Sequence, residues 1–287
     1  MEIEVKGHSG CNIDIVREGK KLFIYKCSED PKYLDRLVKQ AEKQRLASMY
    51  EYQHTRIPQI FYVDRSRNKV SVKMEYIYSK NFIGYFESAG FEQISYFIKA
   101  LILFIEKELK ESTMQVVDKQ VLLEKFKSVG EKLIINSVLC SDEDTKGLFE
   151  SSLQMFKEIE CIKIPIGICH GDLTFSNILF NGNNYYLIDF LDSFIESPLM
   201  DIVKVRQDSA YMWSQLMYIH EYDQTRLNII SEKIDRDITA HFEQYDWFRT
   251  YYKPFQLMNF WRILQYAKEE QVIVYLKQVI KSILYEF

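Results

Sequence analysis

The segment HGDLTFSNILFNGNNYYLIDF, residues 170–190, places three oxygen-bearing side chains at fixed offsets inside a strand-like stretch. Asp172 comes first, Asn177 follows five residues on, and Asp189 lies twelve beyond that. These residue types suit metal-assisted phosphoryl transfer, which needs positioning and cancellation of phosphate charge more than covalent help from the protein. Asp172, on a loop, would accept or orient the proton of an attacking hydroxyl. Asn177 would offer an amide oxygen to Mg²⁺ and Asp189 a carboxylate, the hard oxygen ligands that this ion prefers. The Asn183-Asn184 pair predicts a turn that folds strand 178–181 back on strand 185–190 and so brings residues 177 and 189 together. A turn-capping role accounts for Asn183 and Asn184. It accounts poorly for Asp189, because a carboxylate following Tyr185-Tyr-Leu-Ile188 sits where burial without a cation is costly.

His170-Gly-Asp172, Asn177 and Ile188-Asp-Phe190, taken in order, resemble the signature of the aminoglycoside phosphotransferase and choline kinase group. The resemblance implies an α+β chain with the bilobal protein-kinase-like fold. It would have a small β-rich N-lobe, of about five antiparallel strands and one helix, and a larger, mainly helical C-lobe. It implies ATP as phosphoryl donor, Mg²⁺ as cofactor, Asp172 as catalytic base, and Asn177 and Asp189 as metal ligands. Lys26, in Leu22-Phe-Ile-Tyr-Lys26, stands where the family's third-strand lysine grips the α- and β-phosphates. Its expected partner is Glu42 on the following helix, with Glu51 as the alternative. The turn holding Gly7, Ser9 and Gly10 fits the phosphate-covering loop, and Asn12 matches a position near it. Met74, Glu75 and Ile77 resemble the hinge, with the Glu75 carbonyl and the Ile77 amide facing the adenine edge. His170 is expected to hold the catalytic loop rather than react, and Asp201 to brace that loop from the start of a helix.

The implied acceptor is a small-molecule hydroxyl. Asp201 follows Asp189 by only twelve residues, which leaves no room for a peptide-docking segment, and the metal motif reads Asp-Phe-Leu rather than Asp-Phe-Gly. Two other readings stand beside this one: a catalytically silent nucleotide-binding scaffold, and a protein-modifying enzyme of kinase-like fold. The presence of Lys26, Asp172, Asn177 and Asp189 together argues against the first. Which alcohol is phosphorylated does not follow from the residues. An aromatic cage for a quaternary ammonium is conceivable among Trp213, Trp247, Tyr251, Tyr252, Phe255, Phe260, Trp261 and Tyr266, but rings at helical spacing more often form core. Glu269-Glu270 would suit a cationic acceptor but reads more simply as solvated surface.

The elements that must position these residues are legible in outline. Glu2 to Lys6, Asn12 to Val16 and Leu22 to Cys27 read as three short strands joined by Gly-bearing turns. Asp30-Pro31 predicts a helix start, with Leu34, Leu37, Val38, Ala41 and Met49 on one face. Strands over Ile57 to Val63 and Lys69 to Ile77 complete an N-terminal unit of residues 1–77. From residue 78 to 287, helical spacing dominates, over Phe91 to Leu109, Val117 to Val129, Asp142 to Ile159, Asp201 to Tyr222, Thr225 to Gln244 and Tyr251 onward. Strand-like composition interrupts it only at Ile162 to Cys169, Ile178 to Asn181 and Tyr185 to Phe190.

Composition excludes several classes. The net charge of −4, without runs of one sign, gives no footprint for nucleic acid. No apolar stretch approaches the roughly 20 residues of a membrane span. The N-terminus carries no apolar leader. Five scattered cysteines without a C-x-x-C pair read as reduced thiols. A cytoplasmic protein with no membrane partner is expected; its oligomeric state is open.

Overall fold

The computed structural model describes residues 11–285. The anticipated first strand and the loop carrying Gly7, Ser9 and Gly10 lie outside them. The first part of the chain runs β1 (Asn12–Glu18), β2 (Lys21–Ser28), α1 (Leu34–Ala47), β3 (Thr55–Arg56), β4 (Ile60–Arg65) and β5 (Val70–Glu75). Next come α2 (Phe82–Ser88), α3 (Phe91–Lys110), β6 (Thr113–Val117), α4 (Lys119–Ile135), α5 (Glu143–Glu158) and β7 (Ile162–Ile166). A 3-10 turn (Phe175–Asn177) leads into β8 (Ile178–Asn181) and β9 (Asn184–Leu187). The chain continues with α6 (Pro198–Ser209), α7 (Trp213–Leu216), α8 (Gln224–Phe242), α9 (Asp246–Leu264) and α10 (Glu270–Tyr285).

β1, β2, β5 and β4 form one antiparallel sheet in that order. Helix α1 lays Leu34, Leu37 and Ala41 on it, against Ile60, Val70 and Val72, because those residues recur at helical spacing on a single face. This small core is separate from the larger one, which gathers the apolar faces of the helices around α6 and α9 with β7, β8 and β9. Phe126 is buried there in edge-on contact with both Phe156 and Trp261, and Trp247, Tyr252, Phe255 and Phe260 are buried as well. Most of the aromatic residues of the C-terminal helices are thus core. The architecture is α+β, an antiparallel N-terminal sheet followed by a mainly helical part, as the protein-kinase-like fold requires.

Several local expectations are corrected. Asp30-Pro31 does not open α1: Asp30 accepts from Lys32 N and Tyr33 N and so caps a preceding turn, and the helix starts at Leu34. The helix expected from Val117 begins after Asp118, whose side chain caps Gln120 N, because Val117 belongs to β6 and pairs with Ile162. The long helix expected from Asp201 to Tyr222 stops at Ser209; Met212, at φ +52°, turns the chain before α7. Helix α2 and strand β6, too short for a periodic signature, were not anticipated. No helix among the described residues is long and apolar enough to cross a membrane.

Candidate active site

Residues 170–177 form a loop between β7 and β8 whose backbone is pinned from below. Gly171 has φ +86°, and a Cβ there would run into the carbonyl oxygen of Leu191, so the second position of His-Gly-Asp admits only glycine without rearrangement. His170 is fully buried; its Nε2 bonds Ile188 O at 2.9 Å, and its Nδ1 accepts from Asp172 N at 3.2 Å. These contacts fix the Nε2–H tautomer. Burial pushes the imidazole down to about 4, so it is neutral at physiological pH. The histidine is a spacer between the loop and the Asp189 turn, as anticipated.

Three side chains of α6 hold the rest of the loop. Asp201 accepts from His170 N at 2.5 Å and from Gly171 N at 2.7 Å. Lys204 pairs with Asp172 Oδ1 at 3.0 Å. Asp208 accepts from Phe175 N at 2.6 Å and from Ser214 N at 2.9 Å. Positions 201, 204 and 208 fall at i, i+3 and i+7 on one helical face, so about 10 Å of α6 serves as a rail for the loop. Sequence reasoning found the first of the three and missed the others. The spacing was available, since a face that carries the brace at 201 must present 204 and 208 to the same neighbour.

Burial alone would raise the Asp172 carboxyl. The Lys204 charge and hydrogen bond, aided by Asn177, outweigh it and hold the group below its ordinary value. Asn177 donates both to Asp172 O (2.8 Å) and to Asp172 Oδ2 (3.0 Å), which leaves its amide oxygen turned away from these contacts. The register of β8 and β9 pairs Ile178 with Leu187, and Ile188 N donates to Asn177 O at 3.0 Å. Residues 177 and 189 therefore flank the same end of the hairpin. The turn that achieves this is Gly182-Asn183, one residue earlier than expected, with Gly182 at φ +58°.

Asp189 lies two residues past β9, in the left-handed region at φ +61°, a conformation that Asp tolerates better than most residues. Its Oδ1 receives Lys26 Nζ at 2.8 Å. Lys26 sits on β2 with its side chain 5% exposed, against 38% for Asp189. Burial pushes the ammonium down, but the charge of Asp189 and its hydrogen bond outweigh that and keep Lys26 charged.

Glu42 is not the partner of Lys26. It is exposed on α1, and the adjacent Lys43 turns inward instead. Lys43 Nζ reaches Glu196 Oε2 at 2.6 Å and Leu191 O at 2.6 Å, tying α1 to the segment that follows Asp189. A one-residue step rotates a helical side chain by about 100°, so a pairing argued from a helix edge is easily off by one. Glu51 lies beyond the helix and is also exposed. Met74 and Glu75 end β5, paired to Ile24 and Phe23, and Ile77 is buried just past it. The Glu75 side chain accepts from Gln59 N, and the Ile77 N–H makes no hydrogen bond among the described residues.

A residue pair that sequence reasoning did not raise lies beneath the loop. Glu108 of α3 is 2% exposed, and among the described residues neither of its buried carboxyl oxygens has a hydrogen-bond partner, while the charge of Asp201 acts on it. Burial, and then the Asp201 charge, push its carboxyl well above the ordinary range. Burial also raises Asp201 itself, to about 6, against the lowering effect of Glu108 and the loop amides.

The model of the phosphotransferase enzyme family matches residues 157–238, the stretch that holds the loop, the hairpin and α6. No curated protein matches the sequence. Among solved structures, the chain resembles a thermostable mutant of aminoglycoside phosphotransferase APH(4)-Ia in complex with ADP and hygromycin B. That match has a TM-score of 0.61 at 7% identity and covers 95% of this chain and 93% of the other. The GDP and kanamycin complex of APH(2")-IIia matches with a TM-score of 0.60 at 16% identity, over 95% and 92% of the two chains. Spectinomycin phosphotransferase APH(9)-Ia, in complex with ADP and spectinomycin, matches with a TM-score of 0.52 at 13% identity, over 99% and 91%. The resemblance read from His170-Gly-Asp172, Asn177 and Asp189 thus agrees with the comparisons: residues 157–238 match the model of the phosphotransferase enzyme family, and the chain shares the fold of solved aminoglycoside phosphotransferases.

Proposed function

We propose that this protein is an ATP-dependent kinase that transfers the γ-phosphate to a hydroxyl of a small molecule. Family match and fold support an ATP-dependent phosphotransferase acting on hydroxyl groups. The observation that carries the finer reading is the convergence of Lys26, Asp172, Asn177 and Asp189 from β2, one loop and one hairpin end.

Lys26 would hold the α- and β-phosphates, and the backbone of Glu75 and Ile77, with Met74 behind, would receive the adenine. The donor set for a divalent cation fits Mg²⁺: the Asn177 amide oxygen and the Asp189 carboxylate are hard ligands, and this ion takes one or two carboxylates with substrate phosphates completing its shell. When bound, Mg²⁺ would cancel charge on the β- and γ-phosphates. Asp172 orients the acceptor hydroxyl and takes its proton. A carboxylate held below its ordinary pKa is a weak base, and a loose transition state asks for little deprotonation before the phosphoryl group has largely left ADP. Lys204 keeps Asp172 ionised and adds positive charge beside the transferring group.

This reading takes residues 1–77 as the nucleotide-clamping lobe and 78–287 as the lobe that carries the catalytic loop and the acceptor, and it places the protein in the cytoplasm with its ATP. ADP release measured against amino alcohols, sugars, hydroxy acids and aminoglycosides tests it. Turnover of at least one acceptor, lost in Asp172→Asn, is expected; an Asp172→Asn protein as fast as the wild type would refute the assignment of the base.

A further inference from the structure

The segment 188–191, which carries Asp189, is gripped from both sides. From the catalytic loop, His170 Nε2 donates to Ile188 O at 2.9 Å, and His170 O accepts from Leu191 N at 3.0 Å. From the N-terminal sheet and its helix, Lys26 Nζ donates to Asp189 Oδ1 at 2.8 Å and Lys43 Nζ to Leu191 O at 2.6 Å. The histidine thus fixes the segment to the loop of Asp172. The lysines fix it to the N-terminal unit, Lys26 from β2 and Lys43 from α1.

Lys43 does more than hold one carbonyl. Its side chain is 14% exposed, and its ammonium also pairs with Glu196 Oε2 at 2.6 Å. Glu196 is built into the same corner: Oε1 accepts from Ser193 N at 2.8 Å, Oε2 from Cys169 Sγ at 3.2 Å, and its backbone carbonyl from Gly167 N at 3.0 Å. A Cβ on Gly171 would collide with Leu191 O and lie 3.2 Å from Lys43 Nζ, so the ammonium and the carbonyl share the space that this glycine leaves open. A side chain of α1 therefore ends against the residue that precedes Asp172. Hydrogen bonds from a charged donor are the stronger kind, and losing one at a part-buried carbonyl leaves that oxygen unmatched.

We propose that Lys43 is a positioning residue of this kinase: by holding Leu191 O and Glu196 against Gly171, it sets Asp189, on the metal side, at a fixed place relative to Asp172, on the acceptor side. α1 thus serves the site through Lys43 rather than through the exposed Glu42. The proposal rests on the kinase reading and adds α1 to its machinery.

The test compares Lys43→Met, which keeps the stem and removes the ammonium, with Gln44→Met. Gln44 Nε2 donates to Pro58 O at 2.9 Å and so anchors the same helix to the β3–β4 connection instead. Three quantities are measured on each: Tm, the rise in Tm with AMP-PNP as Mg²⁺ is titrated, and steady-state ADP release with an acceptor that the wild type turns over. Lys43→Met should lower kcat at least about tenfold, the effect of one lost charged hydrogen bond, with the acceptor KM within about twofold of the wild type. It should also raise the Mg²⁺ concentration that gives half of the AMP-PNP shift. Gln44→Met should lower Tm yet keep the wild-type kcat and Mg²⁺ half-point. Wild-type kcat and half-point in Lys43→Met would overturn the proposal. An equal loss in Gln44→Met would do so too, because Lys43 would then be one structural contact among others. If Lys43→Met does not fold, Glu196→Ala takes its place: it leaves the ammonium on Leu191 O alone, so kcat should fall in the same direction, and an unchanged kcat would overturn the proposal. Failure of the kinase reading has a different signature: the wild type turns over no acceptor, while the Mg²⁺ half-point still separates Lys43→Met from Gln44→Met. Absence of any AMP-PNP shift in the wild type would overturn both.

Discussion

Lys26 and Asp189, 163 residues apart in the chain, meet at 2.8 Å across the cleft between the N-terminal sheet and the β8–β9 hairpin. The pair is asymmetric, with the lysine buried and the aspartate half open. Removing one partner of such a pair leaves the other unmatched, and the cost falls on whichever charge cannot reach water. Asp189→Ala should therefore destabilise the fold by about 2–4 kcal/mol, whereas Lys26→Met, which removes the buried charge and keeps the stem, should cost less than about 1 kcal/mol. Both should abolish the stabilisation by Mg²⁺ and ATP that mass action gives the wild type. Urea denaturation with and without nucleotide measures the two effects; equal destabilisation by the two variants would contradict the asymmetry.

Lys204 and Asp172 make a second testable pair. Asp172→Asn should bind nucleotide normally and lower kcat by about 10²–10⁴, the usual contribution of a general base. Lys204→Met removes the main charge that keeps Asp172 below its ordinary pKa. The carboxylate then titrates at higher pH, so the acid limb of the kcat/KM profile should move upward in pH relative to the wild type. A profile that stays in place would show that Lys204 does not govern Asp172.

Glu108 and Asp201 differ in what they can lose. Burial and the charge of Asp201 push the Glu108 carboxyl well above its ordinary value, so Glu108→Gln, which keeps the shape and removes the ionisable group, should alter stability by less than about 1 kcal/mol. Asp201→Ala leaves the buried amides of His170 and Gly171 without an acceptor, at about 1–3 kcal/mol for each. It should also lower kcat, because Asp172 follows directly on the released amides. Parallel kinetics and melting curves would tell; a Glu108→Gln variant as damaged as Asp201→Ala would mean that Glu108 is ionised.

His170 gives a pH signature. Its imidazole titrates near 6.5 when unfolded and at about 4 when folded, so between those values the unfolded chain binds the extra proton. Stability therefore falls as pH falls through this window, and by pH 5 the histidine alone should have cost about 2 kcal/mol. Asp201 acts with the opposite sign over an overlapping range, since it is the folded state that holds its proton up to about 6. Comparing wild type with His170→Asn at pH 7 and pH 5 cancels the Asp201 contribution. The stability advantage of the wild type should shrink at the lower pH; a constant difference would mean that His170 is protonated in the fold.

Local chemistry alone was enough to place Asp172, Asn177 and Asp189, the residues proposed for phosphoryl transfer, on a loop–strand–turn–strand unit, because glycine, the hairpin and period-two alternation act over a few residues. It also sufficed to read β2, β5, β8 and the longer helices, whose apolar faces repeat several times. Short pieces escaped it: α2 and β6 are held by partners far along the chain, Val117 by Ile162 among them. The partner of Lys26 was misread for the same reason. The helix edge at Glu42 was a local argument, while Asp189 arrives from the other end of the chain through the turn of the hairpin. What only the tertiary structure decided is the company that each charge keeps. Lys204 and Asp208 look like ordinary surface residues in sequence, and the packing of α6 against the 170–177 loop sets one on Asp172 and the other on the Phe175 amide. Electrostatic energy depends on distance through space and on burial, neither of which a one-dimensional pattern records.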